Sequence, residues 1–348
     1  MPFKPVRITG TRHQVGVALG KLARPLMSVY LDQSMTWRAL RPWRGHPYLQ
    51  ELAGHVQRSL PSLWEEFEGL VEGLQMPAED LLLWNCRGDL LHQTTDGCTS
   101  IAIQAADGAR WIGHNEDGDP YLYGRCHLID VQLDDAPGFV GFYYPGSIPG
   151  HTFAVNRAGI VQTINNLRNR ARRAGVPRMF LARGVLDCTT LDQALTLLHD
   201  TPRAGAFHHT LGAAGDQRLV SVEAVPGLCS FEPVQRRYGH ANHMIHAATQ
   251  DISQTITDSS RARQTRVDGL LDAWHPDLDP DAQNENSIIE VLHDTVGSLP
   301  ILRTDKADPD EENTLATAIF KIQDEQVTLQ VYDRKATPTQ DIVIQTNN

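Results

Sequence analysis

Cys98 is the residue whose setting speaks most clearly for chemistry. It follows Gly97, precedes Thr99 and Ser100, and stands where a helical stretch hands over to strand-forming residues. A glycine tolerates a strained backbone beside it. A Gly-Cys bond at a strand start suits one reaction. The thiol attacks the preceding carbonyl, the acyl group shifts from nitrogen to sulfur, and water frees Cys98 as a new N-terminus. The released α-amine has an ordinary pKa of about 7.7–8.0. It can therefore act as general base for its own thiol, ordinarily near 8.5, and such a centre needs no catalytic histidine. Polar residues gather on both sides of the bond: Asn85-Cys-Arg87-Gly-Asp89 before it, and Gly113-His-Asn115-Glu116-Asp117 after it.

The elements that must position Cys98 can be read from periodicity. Residues 13–40 and 48–75 place apolar side chains at helical spacing, with Pro25 expected to kink or split the first stretch. A helix from Pro77 leads on to Leu91. From Cys98 the texture becomes a meander of short strands: 99–104, 110–115, 126–133, 138–144, 151–155 and 159–164, with a turn at 106–108. Helices are expected at 177–187 and 190–199, the second capped by Thr189 or Thr190. A hairpin around 214–216, helices at 258–273 and 285–294, and a closing hairpin of 314–322 with 327–332 complete the chain. Residues 305–313 read as an acidic exposed loop. Segregated helical and strand runs predict an α+β layered domain, with two packed antiparallel sheets and helices outside.

Composition excludes several classes. Of 348 residues, 41% are hydrophobic and 21% charged, which is ordinary globular usage. Lys+Arg 31 against Asp+Glu 42 leaves a net charge of −11, a poor match to nucleic acid or to an anionic membrane surface. No apolar run reaches the roughly 18–20 residues of a membrane span, and the first ten residues lack the apolar stretch of a signal peptide. Cys86, Cys126, Cys188 and Cys229 read as core filler. An odd, scattered set of five cysteines is no disulfide framework and points to a reduced, cytoplasmic protein.

The motifs Asn85-x-Arg87-x-Asp89, Asp96-Gly97-Cys98-Thr99 and Asn115-x-Asp117 resemble the acyl-coenzyme A:6-aminopenicillanate acyltransferase family, peptidase family C45 of the N-terminal nucleophile (Ntn) hydrolases. Weaker echoes run in family order: Asn156-x-x-Gly159, Asn165-Asn166-Leu167, Val222-Glu223, Ala241-Asn242-His243, Asp258-Ser259-Ser260 with Arg263, Leu292-His-Asp294, Leu302-Arg303, and Thr314-Leu-Ala-Thr. The resemblance implies a four-layer αββα Ntn sandwich forming one domain over 1–348. It also implies self-cleavage at Gly97-Cys98 into pieces 1–97 and 98–348, with the N-terminal fragment kept as a partner. Carried over, Cys98 is the nucleophile, Asp117 the acidic residue at the end of the second strand, Asn242 the oxyanion-stabilising amide and Arg303 the arginine of the catalytic centre. An Asn amide suits that role, since removing one such donor slows acyl transfer about 10²–10³-fold.

Glu116 stands where the family often has an aromatic. It predicts a cationic or amine-bearing substrate, with Asn115 as a further binding residue. The expected activity is hydrolysis of a small N-acyl amine through an acyl-cysteine, with no cofactor and no metal. Two alternatives are acyl transfer from a coenzyme A thioester to an amine, and an uncleaved, non-catalytic Ntn-fold binding protein. The sequence is compatible with an oligomer.

Three other features of the sequence bear on function. His240, His243 and His246 recur every third residue, and His208 and His209 are adjacent, yet no zinc motif accompanies them. Five arginines between Arg168 and Arg178 read as a solvated loop, or else as a clamp for a phosphate-bearing acyl donor. Neither a G-x-S-x-G elbow nor a phosphate-binding loop is present.

Overall fold

The computed structural model describes residues 3–91, 94, 96–105, 108–274, 285–338 and 341–346. The chain opens on β1 (Val6–Gly10) and continues through α1 (Arg12–Gln33), α2 (Met35–Leu40), α3 (Pro47–Ser59), α4 (Pro61–Leu74), α5 (Ala78–Asn85) and α6 (Arg87–Leu90). Strands follow: β2 (Asp96–Gln104), β3 (Arg110–Gly118), β4 (His127–Leu133), β5 (Phe139–Tyr143), β6 (Phe153–Asn156) and β7 (Ile160–Leu167). Next come α7 (Arg178–Val185), α8 (Leu191–Asp200), β8 (Ala206–Ala213), β9 (Asp216–Val225), β10 (Leu228–Pro233) and β11 (Arg237–His240). The chain ends with α9 (Asp258–Ala273), α10 (Glu285–Leu292), β12 (Asn313–Ile322), β13 (Gln326–Tyr332) and β14 (Ile342–Gln345).

The strands form two sheets. The larger runs β1-β4-β5-β6-β7-β8-β9-β10 and the smaller β11-β2-β3-β12-β13-β14. They stack face to face where Ser100 of β2 donates to Asn165 Oδ1 of β7 at 2.6 Å. Alternation along β2 decides what goes where. Cys98, Ser100 and Ala102 face the other sheet. Ile101 and Ile103 face outward, with Trp111 and Ile319, onto Val267 and Leu271 of α9 and Ile288 and Leu292 of α10. Helices α1 and α8 pack on the large sheet, with α4 and α7 packed against them. The result is the α+β, four-layer αββα sandwich that the sequence predicts.

Four features differ from the sequence reading. Strand β1 lies in a segment read as helical, and it pairs parallel with β4, so the large sheet is not wholly antiparallel. A parallel pair needs a long crossover, which the intervening helices and β2–β3 supply. Strands β10, β11 and β14 are too short to show alternation. Helix α1 runs unbroken through Pro25 and stops at Ser34, whose side chain caps α2. The 305–313 loop is not simply exposed, because Asp308 and Glu312 turn inward. The turn at 106–108 is described only at Gly108, which has φ +84°; its first two residues lie outside the described residues. Among the described residues, no helix is long and apolar enough to cross a membrane.

Helices α1 and α4 approach backbone to backbone over paired glycines. A Cβ on Gly16 would lie 2.0 Å from Glu66 O, and one on Gly69 2.1 Å from His13 O. Gly69→Ala must push the helices apart, and we expect a loss of at least about 1–3 kcal/mol in urea unfolding. Gly269→Ala on α9, where nothing lies within 4 Å, is the control; helix propensity there favours alanine by up to about 1 kcal/mol.

Candidate active site

Strand β2 begins at Asp96, so Gly97 and Cys98 sit at the edge of the inter-sheet core with Cys98 only 3% exposed. The backbone on both sides of the Gly97-Cys98 bond is held. Upstream, Asn166 Nδ2 donates to Asp96 O at 3.0 Å, and Arg168 Nη2 to the same oxygen at 3.3 Å. The Asp96 carboxylate faces Arg87, which holds it down to about 2 against the opposing effect of its burial. Downstream, the Cys98 N–H donates to Asn242 Oδ1 at 2.9 Å, and the Cys98 carbonyl accepts from Arg263 Nη1. Gly97 has no room for a side chain: a Cβ would lie 2.2 Å from Glu312 Oε2 and 3.0 Å from Arg303 Nη1.

Asn242 lies just beyond β11 and is fully buried. Its Oδ1 also accepts from Arg263 Nη2 at 2.7 Å, and its Nδ2 donates to Asn166 O at 3.1 Å. Glu223 of β9 holds the turn that carries it. One carboxylate accepts from Ile245 N at 2.7 Å, from His240 Nε2 at 2.9 Å and from the Thr249 hydroxyl. These donors outweigh burial and hold Glu223 down to about 2.

Strand alternation separates the predicted residues into two groups. Glu116 pairs in register with Cys98 and faces the same way, its Oε2 3.9 Å from Sγ. It accepts from Tyr144 Oη at 2.7 Å and lies 3.1 Å from His114 Nε2. Asp117 faces the helix layer instead. Its Oδ1 accepts from Thr314 Oγ1 at 2.6 Å, and its Oδ2 is buried without a hydrogen bond. Burial raises the Asp117 pKa, while Arg263 and Arg303 nearby oppose the shift. Asn115 also faces the helices and is not brought to the thiol. Its amide donates to Leu292 O at 2.6 Å and its oxygen accepts from Thr317 Oγ1 at 2.6 Å, so it fastens α10 to the sheet.

Arg303 is near the bond but reaches it through acids. It pairs with Glu312, Asp308 and Asp310, and it packs Glu312 against Gly97. Arg168 completes the clamp, with Nη2 2.8 Å from Glu312 Oε1. The arginine tract divides: Arg168 and Arg178 are buried and engaged within the fold, while Arg170, Arg172 and Arg173 lie on an exposed loop, as the solvated-loop reading expects. Arg172 Nη2 donates to Leu90 O at 2.9 Å, and Arg178 is buried against Asn166 and Phe207.

Sequence reasoning missed His114, Tyr144, Asn166, Arg168 and Glu312 as neighbours of the bond, and grouped Arg263 only as an echo. Ser259 and Arg263 stand four apart on α9 and do touch, Nε to Oγ at 3.2 Å. That spacing was a signal. The motif Asn85-x-Arg87-x-Asp89 proves to be architectural. Asn85 Oδ1 accepts from Ile148 N at 2.6 Å, Arg87 faces Asp96, and Asp89 Oδ1 accepts from Arg178 N at 3.1 Å.

Burial pushes the Cys98 thiol well above its ordinary range, and Glu116 and Asp117 add to the shift. In the intact chain the sulfur is therefore a neutral thiol. Among the described residues, the three ligating side chains close enough to share a cation are Cys98, His114 and Glu116, whose ligand atoms lie within 4.8 Å of one another. His240, His243 and His246 form no such set. They are spent on Glu223, on Ser260, and on Ser221 with Ser230. Beside Glu312 opens a cavity of about 400 Å³, lined by Met35, Thr36, Leu91, Arg168, Thr257 and Pro309 among others.

The sequence profile of the family described as Acyl-coenzyme A:6-aminopenicillanic acid acyl-transferase matches residues 104–336, about two thirds of the chain. The chain belongs to this family. It is accordingly an Ntn-type enzyme of acyl transfer or hydrolysis. The chain is also similar to a beta-alanyl-dopamine/carcinine hydrolase of Drosophila melanogaster, 25% identical over 366 aligned positions that cover 91% of this chain and 90% of the relative. The profile match begins six residues after Cys98, so the Gly97-Cys98 junction rests on the geometry described above.

Proposed function

We propose that the chain cleaves itself between Gly97 and Cys98, and that Cys98 then hydrolyses a linear amide of a small N-acyl amine through an acyl-cysteine. The observation that carries this reading is the hydrogen bond from the Cys98 N–H to Asn242 Oδ1 at 2.9 Å. That nitrogen becomes the α-amine on cleavage, and an acceptor already orients it next to its own thiol. The amine takes the thiol proton, the thiolate adds to the substrate carbonyl, and the second Asn242 Nδ2 proton is available to the oxyanion. Asp117, with one oxygen free of hydrogen bonds, supplies charge near the new terminus. Arg303 acts from further off, by fixing Glu312 and the loop before β12. Pieces 1–97 and 98–348 would stay together, because one apolar core includes Val15, Leu19 and Phe67 from the first and Phe139, Phe180 and Phe320 from the second.

The acyl group is proposed to carry an amine. Glu116 puts a carboxyl within 3.9 Å of the sulfur, in a setting where a cation would ionise and pair with it. The relative's name points the same way, since a β-alanyl group ends in an amine. Arg168 and Arg178 are buried and engaged within the fold rather than turned outward for a coenzyme A donor, which favours hydrolysis over transfer. The test is release of amine from an N-β-alanyl amine and from its N-propanoyl counterpart, with denaturing mass measurement of the enzyme. We expect two fragments and a preference of at least about 10-fold in kcat/KM for the amine-bearing acyl group, lost in Glu116→Gln once that chain has been cut. A single uncut chain, or equal rates on both substrates, overturns the corresponding part.

A further inference from the structure

The α-amine that serves the cleaved enzyme does not exist when the first bond must break. In the intact chain the Cys98 nitrogen is an amide, its proton already given to Asn242, so another group must take the thiol proton. We propose that this group is Glu116, and that His114 stores the proton Glu116 gives up, so that a Cys98–Glu116–His114 relay drives self-cleavage. The proposal rests on the reading of Cys98 given above.

Hydrogen-bond accounting places the protons. Ser100 has one hydroxyl proton, and it goes to Asn165 Oδ1 at 2.6 Å, because Asn165 Nδ2 is turned to His240 O at 3.0 Å. Ser100 Oγ must then accept from His114 Nδ1 at 2.8 Å. His114 Nε2 is left with its lone pair toward Glu116 Oε2 at 3.1 Å. One proton therefore lies between Oε2 and Nε2. Tyr144 occupies Oε1 at 2.7 Å, which aims Oε2 at the sulfur 3.9 Å away. Register explains the alignment, since Cys98 pairs with Glu116 and Ser100 with His114 on adjacent strands. Asp117, the neighbouring acid, faces the other side of the sheet and cannot do this. Burial is consistent with the assignment: it raises the Glu116 pKa and lowers that of His114 to about 3, so both rest neutral.

The step balances within the chain and one water. The Oε2 proton moves to His114 Nε2 as the thiol proton moves to Oε2. The thiolate forms a C–S bond to the Gly97 carbonyl carbon, and the C–N bond breaks as Glu116 returns a proton to the Cys98 nitrogen. His114 then reprotonates Glu116. Water cleaves the thioester, giving the Gly97 carboxylate and the Cys98 thiol. Glu116 touches the reacting sulfur and is catalytic for this step; His114 acts through it and is a positioning residue.

The test is a pulse of cell-free synthesis and a chase, following the intact chain by denaturing mass. Glu116→Gln should slow cleavage by about 10²–10⁴-fold at pH 7, the usual weight of a general base. Glu116→Asp should recover part of the rate, and His114→Gln should fall between Asp and Gln. Raising the pH to 9.5 should speed Glu116→Gln, because hydroxide replaces the lost base, but leave Cys98→Ala whole. The titratable groups around Glu116 are Tyr144, His114, Cys98 and Cys126, with Asp117, Asp96 and Arg87 beyond them. Wild-type cleavage in Glu116→Gln overturns the proposal. So does a Glu116→Gln chain that stays whole at both pH values. A wild-type chain that never cleaves overturns the Cys98 reading instead.

Discussion

Cys98→Ala is expected to leave a single uncut chain of 348 residues and to lower amide hydrolysis by at least about 10⁴-fold, the order found when a nucleophile is removed. The substitution removes both chemistries at once. It takes away the atom proposed to attack Gly97 and, later, to carry the acyl group. It is nevertheless mild for the fold. The side chain is small and buried at 3% exposure, and its sulfur contacts are a 3.9 Å approach to Glu116 and a backbone N–H from Asn166. The variant should therefore melt close to wild type. Denaturing mass measurement and amine release check the two halves separately. Cleavage that persists in Cys98→Ala would move the nucleophile elsewhere.

Arg303→Ala is expected to lose about 3–5 kcal/mol, the cost of leaving buried charges without their partner. Arg303 is 2% exposed and meets Glu312, Asp308 and Asp310. Glu312 already sits high, pushed up to about 7 by burial against the pull of Arg168 and Arg303. An acid raised in the folded state contributes stability that is full below its unfolded value, about 4.5, and lost as pH rises through the folded one. Without Arg303 the Glu312 pKa climbs further. The deficit of Arg303→Ala should thus be larger at pH 8 than at pH 5.5, as read by urea unfolding at the two values. An equal deficit at both would show that Glu312 is not the group left exposed to the loss. Self-cleavage should slow as well, because Glu312 no longer packs on Gly97.

Much of the fold was legible from local pattern. The long helices and the paired strands from β2 to β9 declared themselves because spacing of 3.6 or 2 needs only a few residues on one face. Strands β1, β10, β11 and β14 did not. They are short edge or end pieces whose partners, such as β4 for β1, lie far along the chain. Pro25 misled for a related reason, since burial of α1 against α4 outweighs one missing hydrogen bond.

The site divides in the same way. Gly97-Cys98 could be singled out because its chemistry is local, a thiol next to the carbonyl it would attack. Glu116, Asp117 and Asn115 were visible together as a polar strand end, but their roles were not. The pleat sends Glu116 toward the sulfur and Asp117 and Asn115 toward the helices. Arg263, Glu312 and Asn166 stand 165, 214 and 68 residues from Cys98 along the chain, and no spacing rule joins residues that far apart. The sequence by itself determined the candidate bond Gly97-Cys98, the acidic surroundings and the two periodicities. Only the tertiary structure decided which polar group meets which, because that depends on sheet register and on how the two sheets stack, and both are settled by burial of apolar faces remote from Cys98.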